Sequence, residues 1–131
     1  MNFNKISFRV RYSETDQMGV VYHGKYTDYL EVGRVEWLRS LGISYKSLED
    51  RGIILPVIHL QIEYKKSAKY DDLLTVETYL KGRPLVKINF DYKIYNESRE
   101  LLAVASTTLA FINQKDGRPL KCPADILEKL Y

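Results

Sequence analysis

Cysteine is nearly missing from this chain and histidine is scarce: Cys122 stands alone, and His23 and His59 are the two imidazoles among 131 residues. A lone thiol excludes an intrachain disulfide, and one thiol with two imidazoles falls short of a structural zinc site. No segment nears the roughly 20 apolar residues of a membrane-spanning helix. Met1 to Arg9 lacks the apolar core of about 7 to 15 residues that marks a secretory leader. Walker loops, dinucleotide glycine fingerprints, internal repeats and low-complexity tracts are missing too. We therefore expect no metal, no cofactor and no integral membrane segment, with the cytoplasm as the default compartment. The formal net charge is only +3 and its cations are scattered, which argues against a nucleic-acid partner.

What the chain does have is apolar surface. With 45% hydrophobic and 28% charged residues, 1–131 is expected to form a single soluble domain around one core. From His23 to Leu41 a stripe of Tyr22, Tyr26, Tyr29, Leu30, Gly33, Trp37 and Leu41 recurs at helical spacing. Such a helix spans about 28 Å at 1.5 Å per residue, close to the width of the domain, and Gly42 ends it. Val32, Val35 and Leu38 fall outside the stripe, which predicts a helix wrapped on more than one side. Gly33 in its middle costs about 1 kcal/mol against Ala and implies close approach of another backbone.

Elsewhere the pattern is mostly β. Residues 6–12 alternate and read as a first strand, and Ser44 to Arg51 as a short helix with Ser44 as N-cap, placed to cover a pocket. Beyond Ile54 the period becomes two: Ile58, Leu60, Ile62 and Tyr64 face one way, His59, Gln61, Glu63 and Lys65 the other. Leu73–Lys81, Leu85–Tyr95 and Leu101–Ile112 make three more strands, with turns at Gly82–Pro84 and Asn96–Arg99. Pro123 to Tyr131 reads as an amphipathic terminal helix. One central helix followed by four strands on short connections implies an α+β fold with an antiparallel sheet, because parallel pairing needs crossover helices.

The chemistry gathers before the long helix. Asp16 offers a carboxylate able to act as base or nucleophile, and seven residues on, His23 and Gly24 fall where a helix begins. Backbone N–H groups there lack intrahelical acceptors and sit at the positive end of the helix dipole, a ready oxyanion site. The same residue types also describe an Asx turn at Asp16 and an ordinary uncapped helix start. The His23 side chain can hydrogen-bond near a reacting group, orient Asp16, or serve structure alone. His59 reads as a surface or subunit-contact residue.

The run Tyr12-x-Glu14-Thr15-Asp16-x-Met18-Gly19-Val20-Val21-Tyr22-His23-Gly24-x-Tyr26 resembles the signature of the 4-hydroxybenzoyl-CoA thioesterase branch of the hotdog superfamily, including the Tol-Pal-associated acyl-CoA thioesterases. The resemblance continues through Leu30-Glu31-x-x-Arg34 and Tyr64-x-x-x-Ala68-x-Tyr70-Asp71-Asp72, and covers nearly the whole chain. It implies a hotdog fold, an antiparallel sheet curled around one long helix, paired into a homodimer or homotetramer with active sites between subunits. It implies an acyl-CoA substrate, Asp16 and His23 as catalytic positions, the latter through its backbone N–H, and Tyr22, Gly24, Tyr26 and Glu31 as substrate-binding positions.

Glu31 is also the reserve base, since other hotdog branches use a helical Glu, although a Glu31–Arg34 ion pair on the helix explains it without substrate. Tyr26, Tyr29 and residues 53–56 of an adjoining subunit are expected to wall the pocket. Lys65, Lys66, Lys69, Arg83 and Lys87 are candidates for coenzyme phosphates, but Pro84, Leu85 and Val86 stand where the hydroxybenzoyl enzyme carries a basic cluster. The rival readings are a thioesterase acting on acyl carrier protein, a hotdog dehydratase, whose hydration dyad has no match here, and a non-catalytic acyl-ligand protein.

Overall fold

The computed structural model describes residues 3–130. Met1, Asn2 and Tyr131, the last being the end of the expected terminal helix, lie outside the described residues. The order is β1 (Phe3–Arg9), α1 (Tyr26–Ser40), α2 (Tyr45–Asp50), β2 (Ile53–Ile54), β3 (Val57–Tyr64), β4 (Leu73–Leu80), β5 (Lys87–Tyr95), β6 (Leu101–Ala110), β7 (Ile112–Asn113) and α3 (Ala124–Leu130). β1, β4, β5, β6 and β3 form one antiparallel sheet in that spatial order, while β2 pairs only with β7. A 3₁₀ turn, His23–Lys25, leads into α1, so the long helix opens tightly and becomes α-helical at Tyr26.

Period-two patterning puts Leu74, Val76, Thr78 and Leu80 of β4, with Ile88, Phe90, Tyr92 and Ile94 of β5, on the buried face. Tyr26, Tyr29, Leu30, Gly33, Trp37 and Leu38 of α1 are buried against this sheet. Trp37 meets Phe90 edge-on, with ring centroids 4.9 Å apart. Gly33 marks the point of closest approach: a Cβ there would lie 2.5 Å from Thr78 Oγ1 and 2.9 Å from Val76 Cγ1. The close neighbours are thus sheet side chains, not the backbone expected from the sequence.

Two other expectations change. Within this chain α1 lies on one face of the sheet: Leu38 joins the core, but Val32 is exposed and Tyr22 points out of the buried stripe. The alternating run 57–64 is exposed on both faces except at Ile62, because β3 pairs with β6 at the far edge of the sheet while α1 packs over β1 and β4. The last long strand stops at Ala110. Phe111 turns into the core, and the chain re-pairs with Ile53–Ile54 as β7. Ser44 caps α2 as its type predicts, its Oγ accepting the Ser47 N–H at 3.0 Å.

Candidate active site

Between β1 and α1 the chain folds back on itself. The Asp16 N–H donates to Val20 O at 2.9 Å, and the Gly19 N–H donates to Asp16 O at 3.0 Å. Gly19 takes the left-handed φ of +79° that this tight turn needs and that a side chain would oppose. The returning arm is fastened on both sides, Val21 N–H to Ala68 O at 2.8 Å and Tyr22 N–H to Glu14 O at 2.9 Å. Glu14 adds a clamp: its Oε1 accepts the Arg11 N–H at 2.8 Å and the Tyr29 hydroxyl at 3.0 Å, tying the loop to α1. Burial, with the Glu14 carboxylate beside it, holds the Tyr29 phenol far above the ordinary tyrosine range.

The Asx turn that the residue types allow is present, since the Met18 N–H donates to Asp16 Oδ1 at 2.8 Å. It occupies one carboxylate oxygen. Among the described residues Oδ2 has no hydrogen-bond partner. The first closed turn of the helix is made by Lys25 N–H donating to Tyr22 O at 2.9 Å. The N–H groups of His23 and Gly24 precede it and have no intrahelical acceptor, and no side chain caps them. Gly24 leaves space for the Tyr22 ring, which a Cβ at Gly24 would meet at 2.7 Å.

Asp16, His23, Tyr26, Tyr64, Lys65 and Lys66 border one cleft of about 360 Å³. Tyr26 accepts the Ala68 N–H on its hydroxyl at 3.3 Å, and burial pushes its phenol upward. Tyr64 comes from the end of β3 and donates its hydroxyl to His23 O at 2.9 Å. The sequence shows Tyr64 only as one member of an alternating strand. Its contact with a residue 41 positions earlier exists because the outer strand of the sheet ends beside the helix start.

Most of the remaining candidates lie away from this cleft. Tyr22 is exposed, its ring 4.4 Å from that of His23. Tyr29 meets the ring of Tyr26 at 5.6 Å but lines a separate hollow with Phe8 and Glu14 rather than this cleft. Glu31 is exposed and borders no part of the Asp16 cleft, and among the described residues it makes no ion pair with Arg34, so the expected helix pair is not formed. His59 is exposed opposite Thr108. Lys65 and Lys66 pair with Glu63 and Glu100. Instead of covering Asp16, α2 packs its Tyr45 beside a small apolar cavity lined by Trp37, Phe90 and Phe111. Cys122 is buried, which pushes its thiol up to about 11 and leaves it a poor nucleophile. Among the described residues no cluster of His, Cys, Asp and Glu could hold a metal ion, and no helix is long and apolar enough to cross a membrane.

A family model described as the thioesterase-like superfamily matches residues 10–130, and the chain belongs to that family. It is a hotdog-fold thioester hydrolase. The acyl-CoA thioesterase YbgC of Haemophilus influenzae is 33% identical over 126 residues, covering 94% of this chain and 92% of that protein. The crystal structure of a DHNA-CoA thioesterase from Staphylococcus aureus superimposes with a TM-score of 0.94 at 35% identity, covering 99% of this chain and 89% of the other. A 4-hydroxybenzoyl CoA thioesterase shares the fold with a TM-score of 0.89 at 19% identity, covering 100% of both chains.

Proposed function

We propose that this chain hydrolyses acyl-CoA thioesters to free acid and coenzyme A, with Asp16 as nucleophile or general base and the helix N-terminus at His23 and Gly24 as the oxyanion site. The observation that carries the reading is a juxtaposition: Asp16, with one carboxylate oxygen unpartnered among the described residues, and His23, which opens a helix start whose first two N–H groups lack acceptors, border one cleft. The N–H groups bind the thioester oxygen as it becomes an alkoxide, where fixed dipoles cost no reorganisation. Asp16 either adds to the carbonyl carbon, expelling the coenzyme thiolate and leaving a mixed anhydride that water cleaves, or takes a proton from water as that water adds. Tyr22, Tyr26 and the His23 side chain flank the bound group in this reading, and Glu31 lies further along the helix. The names of the YbgC relative and the Staphylococcus enzyme favour coenzyme A over acyl carrier protein as the thiol carrier.

Residues 1–131 act in this reading as one catalytic domain in the cytoplasm, paired with a second copy. The pairing is supported by β3, a sheet edge on which Val57, Ile58, Leu60 and Tyr64 are 41%, 52%, 43% and 47% exposed. A thiol-release assay across a panel of acyl-CoA esters, run beside the same acyl groups on acyl carrier protein, tests the activity. No release from any acyl-CoA would reject it, and faster release from carrier protein would change the substrate. Single turnover in heavy-oxygen water tests the covalent route: label in the Asp16 carboxylate marks the anhydride, whereas label confined to the product acid fits either the base route or an anhydride that water opens at its acyl carbon.

A further inference from the structure

We infer that Tyr64 is a positioning residue of the oxyanion site, its hydroxyl anchoring the peptide unit that joins His23 to Gly24. The inference rests on the reading of the helix start given above, but its geometry stands separately. The Tyr64 hydroxyl donates to the carbonyl oxygen of His23 at 2.9 Å, and that oxygen also accepts the Tyr26 N–H of the opening turn. A trans peptide is planar, so the carbonyl of His23 and the N–H of Gly24 lie in one plane and point opposite ways. Holding the oxygen therefore fixes the direction of the N–H. A carbonyl that accepts hydrogen bonds also polarises its own amide, which makes the N–H a stronger donor toward developing negative charge.

The ring of Tyr64 is itself wedged. It meets Tyr26 edge-on at 5.1 Å and 87°, and His23 edge-on at 6.4 Å and 87°. A side chain so held loses little further freedom when its hydroxyl bonds, unlike an ordinary tyrosine on an edge strand. Partial shielding from water raises the Tyr64 phenol above its ordinary value, and an ordinary phenol is already a protonated donor at neutral pH. The first turn of a helix is where fraying begins, and no side chain caps this one. The bond from β3 supplies, from a different element, part of the restraint that a cap would give.

The test is Tyr64→Phe, which keeps the ring and removes the hydroxyl. Loss of an oxyanion donor itself typically lowers turnover about 10² to 10³-fold, so loss of its anchor is expected to lower kcat about tenfold at nearly unchanged KM. Amide hydrogen exchange at Tyr26, whose N–H donates to the same His23 oxygen, followed by NMR in the same variant, is expected to quicken relative to amides in the middle of the helix. Unchanged kcat, or a raised KM at unchanged kcat, would overturn the inference by reducing Tyr64 to a wall of the cleft. So would unchanged Tyr26 exchange, whatever the kinetics. If the wild-type protein cleaves no acyl-CoA, the catalytic reading fails by that result alone, and the exchange measurement still decides whether the anchor exists.

Discussion

Between Val10 and Lys25 the backbone is stitched to itself and to residues 68–72 by a close series of hydrogen bonds, whereas β3, at the edge of the sheet, leaves most of its side chains exposed apart from Ile62. The first region holds little apolar bulk and owes its shape to donors and acceptors. The second is a strand of apolar residues whose hydrophobic surface remains exposed. The two meet at Tyr64, the last residue of β3, which reaches the helix start. In the proposed reading, a geometry needed before substrate arrives is built by local hydrogen bonds, while the surface offered to a second copy is left unfinished.

The largest expected effect falls at the stitched region. Asp16→Asn should lower turnover by at least roughly 10³-fold with the fold intact, because it removes the nucleophile or base while nearly preserving shape. Circular dichroism beside the thiol-release assay checks both halves, and a folded variant with near-normal turnover would deny Asp16 its role. Next comes the helix that carries the region. Gly33→Ala should cost about 1 to 3 kcal/mol in urea unfolding, since the new methyl meets Thr78 and Val76. A neutral result would mean that the helix can shift.

At the edge strand, Ile58→Lys with Leu60→Lys should weaken self-association at least about tenfold by placing charges where two copies would meet, as read by sedimentation. If the wild-type chain is already monomeric, β3 is not that interface. The smallest effect separates the regions by pH. Burial, with Glu77 accepting its hydroxyl, pushes the Tyr79 phenol on the sheet up to about 12 from an ordinary 10.0. Because the folded value is the higher one, its stabilising contribution is complete below pH about 10 and is lost as pH rises toward 12. Tyr79→Phe should remove that step from an alkaline titration, while Tyr29→Phe should leave it in place.

Legibility in the sequence followed the range of the interactions. The long helix, the Ser44 cap and the strands β4 to β6 came through because period and capping are local properties of neighbouring residues. Asp16, His23 and Tyr26 could be grouped because a short turn and one helix start connect them. Glu14 was visible as part of a motif but not as the clamp on Tyr29, a contact across 15 positions. The Glu31–Arg34 pair follows from helical spacing alone, yet it is not formed.

The residues by themselves determined which segments bend, coil or extend, and which short stretch carries the carboxylate and the free amides, since these depend on side-chain size, periodicity and hydrogen-bonding capacity within a few positions. Tertiary structure alone decided that β3 crosses to the far side of β6, that its apolar residues become an edge, and that Tyr64 arrives at His23. Strand order is settled by which faces can be buried together, and that is a property of the whole chain.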